Sequence, residues 1–190
     1  MTDGTIFLFP SPAGAQQSVA EQAASRADDG GYAIYSQSMV EAKGFNAHDG
    51  TAISLARFGG LKTAIITKRI SETVRLRARD LRIDHVYQGT ADKLTALNAI
   101  LAAEGLRPEE AAYVADDIID LPAMRACGLA IATENARDEV KAEAHFVTAH
   151  GGGHGAVRDA VEYILKAQGK LQACIETYLS ERTPADEKRQ

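Results

Sequence analysis

The sequence predicts an α/β fold, a parallel sheet with helices on both faces. Three observations carry that prediction. From residue 50 onward, short apolar segments alternate with longer ones whose apolar residues recur at helical spacing. Some of the short segments are apolar on both faces, as strands covered by helices on each side must be. The chain has 190 residues, enough for one domain with a sizeable buried core.

The elements follow in order. "TIFLF" (5–9) is apolar on both faces and suits a central strand. "AGAQQSVAEQAASRADDGG" is rich in Ala and Gln and reads as a helix or an insertion ending at Gly30 and Gly31. "GYAIYSQSMVEAKGF" sets Tyr, Ile and Val around a polar centre and suggests a hairpin. "LKTAIIT" (61–67) is a buried strand, and "SETVRLRARDLR" (71–82) a charged helix with Val74, Ala78 and Leu81 on one face. "IDHVYQG" (83–89) is a second strand. "DKLTALNAILAAEGL" (92–106) is the clearest helix, with a stripe of Leu94, Leu97, Ile100 and Leu101 and Gly105 as its stop. "AAYVA", "LAIAT" and "AHFVTAH" are further strands. "LPAMRACG" is a helix with Pro122 near its start, and "AVRDAVEYILKAQ" (156–168) a closing helix. The organisation is one domain over 1–182, with an insertion at 10–30, a hairpin at 32–45 and a polar tail at 183–190.

Composition excludes several function classes. With 45% apolar and 25% charged residues the chain is an ordinary globular one. A net charge of -5 argues against a nucleic-acid or anionic-membrane surface. No apolar run approaches membrane-spanning length, and no basic segment with an apolar signal core opens the chain. Cys127 and Cys174 are far apart and form no CxxC pair. They read as thiols in a reducing compartment, so a cytoplasmic location is expected.

In a parallel sheet, ligands bind outside the carboxyl ends of the strands. Chemistry-bearing residues collect there. Thr67 and Arg69 follow "AIIT", Lys93 opens the helix after "HVYQG", and Asp116, Asp117 and Asp120 follow "AYVA". Singly, each has a plain structural reading. A hydroxyl after a strand is usually a helix cap, a lone Lys at a helix start usually lies on the surface, and acids in a first turn complement the helix dipole. Together they are the parts of a phosphate and Mg²⁺ site. The hydroxyl and the Lys hold phosphoryl oxygens, and hard carboxylates hold the cation that neutralises them.

Residues from about 31 to 175 resemble the 3-deoxy-D-manno-octulosonate 8-phosphate (KDO-8-phosphate) phosphatases of the haloacid dehalogenase (HAD) superfamily. The matching strings are "EAKGFNAHDG", "AIITKR", "HVYQGTADKL", "AYVADDIIDLPAM" and "GGHGAVRDAVEYILKAQGK". The resemblance implies a Rossmann-like sheet without a large cap domain, and a projecting hairpin that assembles a homotetramer. It also implies Mg²⁺ and a phosphorylated acidic sugar as substrate. Carried over by position, Thr67 and Lys93 bind phosphate and Asp116 is the metal ligand, supported by Asp117 and Asp120. Asn46, His48, Asp49, Gly50, Arg69 and Arg77 fall near the substrate. Arg158, with the Gly-rich segment before it, leads toward a tail that helps close a neighbour's site.

The chain departs from this family at its first motif. The family's chemistry begins with Asp-x-Asp-Gly at the end of the first strand, where one Asp attacks phosphorus and the other is acid, then base. After "TIFLF" this chain reads "PSPAG", so Pro10 and Pro12 fall at the two Asp positions. Proline can fill neither role. A second register makes "TDGTIFLF" the segment that follows the motif. A third aligns Asp3, Gly4 and Thr5 with the motif's second half and leaves Met1 at the nucleophile position. The Pro register is favoured because the sheet needs a buried central strand. Further departures are Ala115 and Lys68 at Gly positions, and His48 and Ser54 at Arg positions. Two function classes follow. One is a sugar-phosphate phosphatase, inactive or strongly impaired in the chain as written. The other is a non-catalytic protein that binds a phosphorylated ligand or serves as an oligomeric scaffold.

Overall fold

The computed structural model describes residues 46–182 and the backbone of 4–8 and 32–33. Its strands are β1 (Gly4–Leu8), β2 (Tyr32–Ala33), β3 (Lys62–Thr67), β4 (His85–Gln88), β5 (Ala111–Ala115), β6 (Leu129–Ala132) and β7 (Phe146–Val147). Its helices are α1 (Ala47–Phe58), α2 (Glu72–Asp80), α3 (Lys93–Glu104), α4 (Leu121–Ala126), α5 (Asp138–Ala142), α6 (Ala156–Ala167) and α7 (Leu171–Arg182). The strands form one sheet in the order β4-β3-β1-β5-β6-β7, with β2 paired to β1.

Local chemistry explains the boundaries. Ser71 accepts from the Val74 amide and starts α2. Asp92 accepts from the Thr95 amide at 3.0 Å and starts α3, so Lys93 becomes the first helical residue. Gly105, at φ 68°, closes α3 in the left-handed conformation that glycine adopts without strain. The two-residue periodicity of the strands sorts the core into two layers. Ala112 and Val114 pack with α1, α2, α6 and α7 on one face. Tyr113 and Ala115 pack with α3, α4 and α5 on the other.

The α/β architecture with helices on both faces is the one the sequence predicts. The direction of its first strand is different. Every pairing that does not involve β1 or β2 is parallel among the described residues: β3 with β4, β5 with β6, and β6 with β7. β1 lies between β3 and β5 as expected, but runs antiparallel to both. Gly4 faces Ile66 near the carboxyl end of β3, and Leu8 faces Lys62 at its amino end. β1 therefore ends at the edge of the sheet opposite Thr67. The Pro register needs it to end beside Thr67. Pro10 and Pro12 themselves lie outside the described residues, as do the whole of the 10–30 insertion, the 34–45 part of the hairpin and the 183–190 tail. Tyr32 and Ala33 pair with Leu8 and Phe7 of β1.

Three helices were not assigned from the sequence: α1, the five-residue α5 and α7. Asn46 caps α1 by accepting from the amides of His48 and Asp49. In α7, Leu171, Cys174, Ile175 and Tyr178 recur at helical spacing and pack on the first core layer. The strand expected in "AHFVTAH" is only Phe146–Val147, because Thr148 turns the chain by donating to the His150 carbonyl at 2.6 Å. No helix among the described residues is long and apolar enough to cross a membrane.

Candidate phosphate and metal site

The carboxyl ends of β3, β4, β5 and β6 share one edge of the sheet, and main-chain bonds tie their loops together. Thr67, the last residue of β3, is fully buried. Its hydroxyl oxygen accepts from the Arg69 amide at 3.0 Å, which keeps the O–H available as a donor. The Thr67 carbonyl accepts from the Thr90 amide, and the Arg69 carbonyl from Gly89, so the loop after β3 is joined to the loop that delivers Lys93.

Lys93 and Asp120 form the electrostatic centre of this edge. The ammonium donates to Asp120 Oδ1 at 2.8 Å, and both side chains are about as buried as residues can be, at 1% and 0% exposure. Tyr113 donates its phenol to the same oxygen at 2.6 Å. Asp120 Oδ2 is buried with no hydrogen bond among the described residues. Burial raises the Asp120 pKa by more than Lys93 and Tyr113 lower it. Asp120 thus holds Lys93 in place through its Oδ1.

The other two acids divide as well. Asp116, the first residue past β5, is 6% exposed, and its carbonyl accepts from the Arg137 amide at 2.9 Å. Asp117 turns back to cap the short turn Ile118–Asp120, accepting from the Ile118 amide at 2.7 Å. Among the described residues no three His, Cys, Asp or Glu side chains form a metal-binding group. Mg²⁺ requires near-octahedral oxygen coordination. The described residues put Asp116 at the carboxyl end of β5 but do not make that cage.

The residues expected near a substrate lie at the start of α1, on α2 and α6, and in the loop after β3. Asn46 is a helix cap and His48 is exposed beside it. Asp49 is fully buried, and its Oδ1 accepts from the Arg158 amide at 3.0 Å, at the amino end of α6. Burial raises its pKa despite amide bonds from Arg158, Gly155 and Val157. Asp49 therefore supplies a cap from α1 to the amino end of α6. Arg158 lies along α6 with its guanidinium on Glu162. Arg69 is half-buried at the β3 edge. Gly50 and Arg77 meet: a Cβ on Gly50 would come within 2.5 Å of Arg77 Nη2. Sequence reasoning missed Tyr113 altogether. Its signal was a single large polar-tipped residue in the otherwise small "AAYVA" strand.

Comparison with known proteins agrees with this architecture. Residues 62–161 match the haloacid dehalogenase-like hydrolase family. The 3-deoxy-D-manno-octulosonate 8-phosphate phosphatase of Yersinia pestis is 42% identical over 132 residues, covering 70% of this chain and 71% of that protein. A crystal structure of the enzyme from Yersinia pestis superposes with a TM-score of 0.67 at 42% identity, covering 69% of this chain and 71% of that one. The Moraxella catarrhalis phosphatase, solved in complex with magnesium, phosphate and KDO, gives a TM-score of 0.69 at 39% identity, covering 72% and 79%. With this sheet, this order of site residues and these identities, the chain belongs to the 3-deoxy-D-manno-octulosonate 8-phosphate phosphatase family of haloacid dehalogenase-like hydrolases.

Proposed function

We propose that this protein binds the phosphoryl group of a phosphorylated acidic sugar at the carboxyl edge of its sheet and, in the chain as written, does not hydrolyse it. One observation carries the reading. Lys93 is held by Asp120 at the strand edge that also carries Thr67 and Asp116, yet no Asp-x-Asp occurs anywhere in the 190 residues. Thr67 donates its hydroxyl and Lys93 its charge to phosphoryl oxygens. The relative from Moraxella catarrhalis, which holds phosphate and KDO, supports that class of ligand. That relative also holds magnesium. A divalent cation here would rest on Asp116, and its binding is weak because the described carboxylates do not converge on it.

Calorimetric titration with inorganic phosphate tests the reading. Wild type binds, and Lys93→Met weakens binding by about tenfold or more, the usual scale for one charge-assisted hydrogen bond. The double variant Lys93→Met with Asp120→Leu leaves no unpaired buried charge and keeps the test independent of folding. Unchanged phosphate affinity in both variants refutes the site. Assembly as a homotetramer through the hairpin expected at 32–45 belongs to the same reading, because two strands alone cannot bury their apolar face. Sedimentation at micromolar concentration checks it, and a monomer refutes it.

A further inference from the structure

Asp120 Oδ1 takes hydrogen bonds from donors that two different elements bring to it. Lys93 comes from the first turn of α3 and donates at 2.8 Å. Tyr113 comes from the middle of β5, where it is the one polar side chain of the strand, and donates at 2.6 Å. The ring is fully buried, in the core layer that also holds Leu97, Ile100 and Met124. Asp120 Oδ2, by contrast, accepts no hydrogen bond among the described residues. A phenol present only to compensate a buried carboxylate would serve best on that second oxygen, because a buried acceptor without a donor is costly. Placed on Oδ1, it shares the very oxygen that Lys93 uses.

We propose that Tyr113 is a positioning residue for the phosphate site: its phenol takes up part of the negative charge on Asp120 Oδ1, so that Lys93 stays placed at the strand edge yet turns readily to a phosphoryl oxygen. The inference rests on the phosphate-binding function proposed above. An ammonium is a point charge with three rotatable N–H donors. How far it serves a ligand depends on how strongly Oδ1 draws it. Burial strengthens that pull, since water does not screen the pair. A second donor on the same oxygen weakens it. A phenol does this without bringing a positive charge that would repel Lys93. Its ring is fixed by the core around it, so the donor keeps its place when a ligand arrives.

Tyr113→Phe keeps the ring and removes the hydroxyl. Its affinity for inorganic phosphate, read by calorimetry on the full chain, is expected to fall by about three- to tenfold, the scale of one hydrogen bond. A spectroscopic reading on wild type accompanies it. The chain has no Trp, so tyrosine carries its near-ultraviolet absorption. Phosphate draws Lys93 away from Oδ1 and thereby alters the Tyr113 hydrogen bond, so the tyrosine absorption of wild type shifts on titration, and that shift is missing in Tyr113→Phe. A tyrosine that merely filled the core would leave the absorption unmoved by phosphate. If wild type binds phosphate and loses it with Lys93→Met and Asp120→Leu, but Tyr113→Phe binds as wild type does, this proposal falls and the site stands. An unmoved tyrosine absorption also overturns the proposal, even where Tyr113→Phe binds less tightly. If wild type binds no phosphate, or binds it regardless of Lys93, both readings fall together.

Discussion

Purified 190-residue protein, given millimolar Mg²⁺ and KDO-8-phosphate, is expected to release phosphate far more slowly than the roughly 1–10³ s⁻¹ of ordinary enzymes. The family's reaction needs an attacking carboxylate and a second one to move the proton. No Asp-x-Asp supplies that pair in this chain. Loss of the nucleophile costs on the order of 10⁶ in rate in a serine protease. Two other acids are candidates for activating water, and each accepts from a backbone amide. Asp49 is fully buried against the start of α6, and Asp117 holds the Ile118 amide. In the function proposed, Thr67 and Lys93 orient a phosphoryl group, and orientation without an attacking atom would give binding and no turnover. Steady-state phosphate release is the measurement. A rate within the ordinary range would refute the reading and place a working carboxylate somewhere in residues 1–45.

The second large effect is on stability. Lys93→Met is expected to destabilise the fold by about 3–5 kcal/mol, because it leaves the Asp120 carboxylate buried without its counter-charge. Adding Asp120→Leu should recover most of that loss, to within about 2 kcal/mol of wild type, since apolar replacement of a buried pair is often neutral or better. The remainder is the Tyr113 phenol, which loses its acceptor at 2.6 Å. Urea denaturation of the three proteins measures both steps. A loss below about 1 kcal/mol in the single variant would mean that water reaches the pair, contrary to its 1% and 0% exposure.

Much of this molecule is legible in its sequence where a local rule suffices. The stripe Leu94, Leu97, Ile100, Leu101 with Gly105 marks α3, and β3 and β5 read directly as apolar runs. The edge carrying Thr67, Lys93 and Asp116 is legible too, because strand ends can be counted along the chain. Roles that depend on distant partners are not. Asp120 stands three residues from Asp117 and looks like part of one acidic cluster, but Lys93 and Tyr113 draw it inward. Asp49 shows no partner in the sequence, and only the fold brings the Arg158 amide to it. The direction of β1 depends on pairing with β3 and β5, and an apolar segment such as "TIFLF" fits a buried slot in either direction.

The bond from Asp49 to the Arg158 amide also bears on how the molecule assembles itself. It joins residues 109 positions apart in sequence. Closing a loop of that length costs entropy before the contact repays it, so the bond is expected to form with or after the sheet that brings α1 and α6 side by side. The glycine-rich turn Gly151–Gly155 leads directly into the helix that this carboxylate caps. Order in that turn is therefore expected late in folding, controlled from the first described helix of the chain and reached with or after the pairing of the strands beneath it.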